Sequence, residues 1–189
     1  MAKKIFIVHG WSGYPEEGWF PWLKKELERK KFKVEVPLMP DTDKPEIKSW
    51  ISHLTKVLGN LNENTYLVGH SIGCQAILRY LETLENKIKI NLVLVAPWMH
   101  LDEETIKEEG EESMKIAKPW IETPIDFNKE IIDIKEKINL ELNTEIKLIL
   151  IKLKDFLSQK DNKENKIIQK VINYGFPIFG NNLYYEPVL

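Results

Sequence analysis

The chain has 189 residues, 43% of them hydrophobic and 30% charged, which fits one domain whose core is large enough to fold unaided. A net charge of −2 and a pI near 6.1 leave no global basic field for nucleic acid or anionic membrane, and the charges are interleaved as on solvated faces. A single cysteine, Cys74, excludes an internal disulfide framework and fits a reducing cytoplasm.

Ile5 to Val8 is a compact apolar run between Lys3-Lys4 and His9-Gly10, and it reads as a strand buried on both faces. It is too short for the apolar region of a signal peptide, and no small-residue cleavage site follows. No stretch approaches the ~18 to 20 apolar residues that span a bilayer, so the chain reads as soluble and intracellular. The loop His9-Gly10-Trp11-Ser12-Gly13-Tyr14-Pro15 comes next. Trp19 to Lys30 then places Trp19, Trp22, Leu23 and Leu27 at helical spacing. Phe32 to Val36 alternates as a second strand and stops at Pro37.

Pro40 to Pro45 is loop, and Ile47 to Leu58 is a second amphipathic helix carrying Trp50, Ile51, Leu54 and Leu58. Thr65 to Val68 is a third strand that runs directly into Gly69, and Ile72 to Leu84 is a third helix. Asn91 to Ala96 is a fourth strand, ended by Pro97. Strands separated by helices of this length predict βαβ units and an α/β fold, a doubly wound, mainly parallel sheet flanked by helices. Asp102 to Lys118 is acidic and reads as a cap-like helix or loop, followed by Pro119 to Phe127 with Trp120 and Pro124. Farther on, Glu145 to Ile151 reads as a fifth strand and Gln159 to Ile172 as a polar helix. No internal repeat or second domain is visible, so residues 1–189 are expected to form one domain.

Gly69-His70-Ser71-Ile72-Gly73 lies between the third strand and the third helix. A Gly-x-Ser-x-Gly turn at such a junction forces the serine backbone into a strained conformation, and the glycines remove side chains that would clash. The turn presents the hydroxyl at the carboxyl edge of the sheet, where open α/β folds place ligands. It also aims the Ile72 amide at a developing oxyanion. Ser71 is therefore the candidate nucleophile. The loop after the first strand supplies a second oxyanion amide in such a site, here that of Trp11, with His9 and Gly10 in support.

Other readings of these residues are plainer. A glycine-rich turn can bind phosphate, but neither Gly-x-Gly-x-x-Gly nor a P-loop lysine is present. His70 reads as a residue that shapes the elbow, His9 as bonded within its loop, and His53 as a boundary residue. Cys74 reads as a small buried residue, and Trp19, Trp22 and Trp50 as core. Ligand spacing such as His-Glu-x-x-His is absent, so no metal is expected, and no cofactor is implied.

Ile7-Val8-His9-Gly10-Trp11-Ser12-Gly13, Trp19-Phe20-Pro21-Trp22-Leu23, Val36-Pro37-Leu38-Met39-Pro40, Leu67 to Cys74 and Val93 to Pro97 together resemble the small α/β-hydrolase serine hydrolases related to YdeN and retinoblastoma-binding protein 9. The resemblance covers about residues 3–127 and leaves the C-terminal third divergent. It implies a compact α/β hydrolase with little or no lid, a Ser-Asp-His triad and carboxylesterase-like chemistry on small esters. Asp155, after Leu148 to Ile151, matches the position of the family's acid, with Asp161 as the alternative.

The family's base lies in a Gly-His-Phe-like motif near the C-terminus, where this chain reads Tyr174-Gly175-Phe176-Pro177. Its histidines are His9, His53, His70 and His100, and none lies beyond residue 100. A serine hydroxyl is a weak nucleophile until a neighbour accepts its proton. The tail is altered by a frameshift or deletion, the chain is a pseudoenzyme that keeps a ligand site, or another histidine such as His100 serves. Two functions follow: an impaired hydrolase of small esters, or a non-catalytic binding protein. A protein partner is not otherwise indicated.

Overall fold

The computed structural model of the protein describes residues 3–85, 90–99 and 103–125. The segments alternate as β1 (Lys4–Val8), α1 (Phe20–Arg29), β2 (Lys33–Glu35), α2 (Ile47–Leu58), β3 (Thr65–His70), α3 (Ile72–Glu82), β4 (Asn91–Val95) and α4 (Glu103–Glu122). The four strands form a parallel sheet in the order β2-β1-β3-β4. The α/β class and the parallel, helix-flanked sheet are those the sequence predicts.

Alternation along each strand divides the core between the two faces of the sheet. Ile5, Ile7, Tyr66 and Val68 face α1, packing on Trp19, Phe20, Leu23 and Leu27. Phe6, Val8, Leu67 and Leu92 face α2 and α3, packing on Trp50, Leu54, Leu58, Ile72 and Ile77. A strand covered on both faces must be apolar throughout, which is why Ile5 to Val8 reads as an unbroken run. Helix α2 buries Trp50, Leu54 and Leu58 and stops at Gly59, whose φ of 57° is in the left-handed region. Helix α1 opens with Pro21 in its first turn, where a missing N–H costs nothing.

The acidic segment after residue 102 is helical, and the helix continues past Pro119 to Glu122. Two helical stretches meet at Gly110, whose φ of 81° interrupts them. Pro119 is exposed while Ala117 and Trp120 on either side are buried, so the ring that breaks the helical bonding faces solvent rather than core. No helix among the described residues is long and apolar enough to cross a membrane. Asp155, Asp161, His100, the fifth strand and the late polar helix expected from the sequence all lie outside the described residues.

The chain leaves β1 to one side of the sheet for β2 and returns on the other for β3. The carboxyl ends of β1 and β3 therefore flank the point where strand order reverses. In an open parallel sheet that is the crevice in which ligands bind. Residues 9–13 and 69–73 are the segments that emerge there.

Candidate active site

Strand β3 runs through Gly69 and His70, two residues farther than the apolar run alone implies, and hands directly to α3. Ser71 is the hinge between them, with φ 53° and ψ −125°. A residue with a Cβ is strained at that φ. The conformation is held by the Ser71 N–H donating to the Val95 carbonyl at 3.0 Å and by the Cys74 N–H donating to the Ser71 carbonyl at 3.0 Å.

Both flanking glycines are required by close approach. A Cβ on Gly69 would sit 2.8 Å from the Cys74 Cα, and one on Gly73 would sit 2.5 Å from the carbonyl oxygens of Val8 and His9. The end of β1 therefore lies directly against the first turn of α3. Gly10 is pressed on the elbow as well, because a Cβ there would be 3.2 Å from the Ser71 Cβ and 3.2 Å from His70 Nδ1. Residues 60 positions apart in the chain thus meet at one point. Ile72 is the first residue of α3, where amides lack intrahelical acceptors and the helix dipole is positive.

The loop at residues 37–46 walls this region, and indoles hold it. Trp50 Nε1 donates to the Pro40 carbonyl at 2.8 Å, Trp11 Nε1 to Asp43 at 3.0 Å and Trp120 Nε1 to Pro45 at 2.9 Å. The Ser12 amide donates to the Thr42 carbonyl at 2.8 Å. Trp50 and Trp120 are core residues with a polar edge, each satisfying a carbonyl that would otherwise be stranded.

The imidazoles of His9 and His70 are occupied. His9 is fully buried, donates from Nδ1 to the Gly10 carbonyl at 2.9 Å, and accepts at Nε2 from the Met39 amide at 3.0 Å. That pair of partners selects the neutral ring, and burial lowers its pKa, with His53 adding repulsion. His70 packs edge-on against Trp19 and Phe20, with ring centres 5.7 and 5.8 Å away, on the α1 side of the sheet. Burial brings its pKa down to about 4, with a smaller contribution from His9. His53 is half-buried on α2. Burial pushes the Cys74 thiol far up, so it is a packing group rather than a thiolate.

The partner of the Ser71 hydroxyl is a residue the sequence reading passes over. Trp98, three residues beyond β4, donates its indole N–H to Ser71 Oγ at 3.1 Å. Gln75 and Arg79 on α3 were also not singled out, although an arginine inside the apolar run from Ile72 to Leu81 is itself a signal that buried acceptors await it. Among the described residues, no group of three or more His, Cys, Asp or Glu is placed to hold a metal ion.

Comparison with known proteins gives the family. Residues 5–136 match the family described as serine hydrolase. The chain belongs to that family. YdeN of Bacillus subtilis (strain 168) is 38% identical over 95 residues, which is 50% of this chain and 50% of YdeN. The serine hydrolase RBBP9 of Rattus norvegicus is 29% identical over 120 residues, 62% of this chain and 61% of the rat protein. The crystal structure of the ydeN gene product from B. subtilis superposes with a TM-score of 0.56 at 30% identity, covering 69% of this chain and 66% of that one. The matched stretch therefore spans half to two thirds of these relatives' length.

The elbow has a consequence for pH. The unfolded chain takes up a proton on His70 near pH 6.5, whereas the folded protein does so only near pH 4. Stability is therefore full above pH 6.5 and falls as the pH drops toward 4, by about 3 kcal/mol across that window. Urea titrations at stepped pH should show this loss, and His70→Asn should remove most of it. A wild-type stability that stays level from pH 7 to 4 contradicts a buried, neutral His70.

Proposed function

We propose that this serine hydrolase family member acts on small esters, with carboxylesterase-like acyl transfer to water through a Ser71 acyl-enzyme. The observation that carries the reading is the Ser71 backbone, left-handed at the head of α3, with Gly10 packed against its Cβ. In the reaction, Ser71 Oγ bonds to the acyl carbon and the alcohol leaves. Water then attacks the acyl-enzyme and frees the acid. The amides of Ile72 and Trp11 would receive the oxyanion of each tetrahedral intermediate.

The serine proton needs an acceptor. Asp155, or Asp161, is proposed to orient a base, for which His100, outside the described residues, is the candidate. His9 and His70 are committed to other partners, so turnover is expected to be impaired. Oxyanion stabilisation and binding alone leave ~10³-fold catalysis over water. The same commitment of His9 and His70 favours a second reading, a non-catalytic protein that keeps the elbow as a ligand site.

A fluorophosphonate probe separates the two. Ser71 Oγ bonds to phosphorus, fluoride leaves and the hydroxyl proton passes to solvent. The hydrolase reading expects labelling of folded wild-type protein at Ser71, together with hydrolysis of a short-chain p-nitrophenyl ester. In Ser71→Ala, both signals should fall to background. Folded protein that takes no label supports the binding reading instead.

A further inference from the structure

An indole N–H donates and never accepts, so Trp98 cannot serve as the base for Ser71. What it can do is fix the oxygen. A serine oxygen has one bond to Cβ, one to hydrogen and two lone pairs. With one lone pair on the indole 3.1 Å away, the second is left for an electrophilic carbon, and the hydroxyl proton takes the remaining direction. An unpartnered hydroxymethyl group is instead shared among three staggered wells.

Trp98 is itself held in place. Ala96, the residue following β4, has a φ of 51°, which strains any residue carrying a Cβ and turns the chain back over the elbow. Such strain persists where the surroundings over-determine it. Here Gln75 Nε2 donates to the Trp98 carbonyl at 2.8 Å, and Gln75 Oε1 accepts from Arg79 Nη2 at 3.1 Å. Gln75 is fully buried. The helix that follows Ser71 therefore also carries the clamp that aims Trp98 at it.

We propose that Trp98 is a positioning residue for Ser71: its indole N–H holds Oγ in the attacking rotamer, and Gln75 fixes the indole through the Trp98 carbonyl. The kinetic part of this role rests on the hydrolase reading of Ser71. Trp98→Phe keeps an aromatic ring and removes the N–H. When fluorophosphonate labelling is resolved into a binding constant and a maximal rate, W98F should lose about three- to tenfold in the maximal rate, the worth of one neutral hydrogen bond, with binding unchanged. W98F that labels at the wild-type maximal rate overturns the proposal.

A second readout does not depend on reactivity. In protein with ¹⁵N-labelled tryptophan, the Trp98 indole signal should shift and lose exchange protection in Ser71→Ala, while the other five indoles stay put. An unmoved Trp98 signal also overturns the proposal. Wild-type protein that takes no label defeats the hydrolase reading of Ser71 instead, and the indole signal then decides the placement of Trp98 by itself.

Discussion

Gly73→Ala is expected to lower fluorophosphonate labelling of Ser71 by about 100-fold and to cost about 3 kcal/mol of stability. The added Cβ would lie 2.5 Å from two backbone oxygens, those of Val8 and His9, and neither can rotate away. Restoring ordinary contact near 3.4 Å requires the first turn of α3 and the end of β1 to separate by about 0.9 Å. That separation moves the Ile72 amide away from the Gly10–Trp11 loop, so the two halves of the proposed oxyanion site no longer converge. Gly59→Ala is the comparison. Its φ of 57° also strains alanine, but nothing lies within 4 Å of the new Cβ, so it should cost about 1 kcal/mol and leave labelling unchanged. Equal labelling in G73A and wild type would mean that the glycine is not needed for the site's geometry.

Arg79→Met is expected to destabilise the fold by about 3 to 5 kcal/mol in urea titrations. Arg79 is buried, and its guanidinium donates to the carbonyls of Trp120 at 2.8 Å, Thr123 at 2.6 Å and Pro124 at 3.3 Å, as well as to Gln75. These carbonyls sit at the end of α4, where helix acceptors have no partner in the chain and the dipole favours a cation. The guanidinium also lies 5.9 Å from the Trp120 ring centre. Methionine preserves the stem and removes every donor, stranding the helix end and Gln75 together. Because Gln75 anchors Trp98, the substitution should also slow labelling. Arg79→Lys should recover part of the stability, since one ammonium can reach only some of the carbonyls. A loss below about 1 kcal/mol for R79M would show that α4 is held by Ala117 and Trp120 alone.

Much of this was legible in the sequence because it depends on local rules. Ile5 to Val8 and Thr65 to Val68 are apolar on both faces, and only a doubly covered parallel strand needs that. Ile47 to Leu58 carries one apolar stripe and ends before a glycine, so its bounds match α2 at both ends. Gly-x-Ser-x-Gly names its own turn, because the crowding that requires the glycines is built into a strand that turns sharply into a helix. The segment after residue 102 was harder to read. Its charge conceals the buried positions Ala117 and Trp120, and Pro119 between them reads as a helix end although its exposed ring leaves the buried face intact.

By itself the sequence determined the α/β class, the family and the place of Ser71 at a strand-to-helix turn, because periodicity and a five-residue motif are short-range properties. Only the tertiary structure decided what surrounds that serine. The turn of Ala96 brings Trp98 onto Ser71 Oγ across 27 positions of chain. Met39 and Gly10 occupy both nitrogens of His9, and the rings of Trp19 and Phe20 at the start of α1 pack on His70. Each of these is a contact between residues whose spacing along the chain carries no signal, since hydrogen bonds and burial are set by where strands and helices cross.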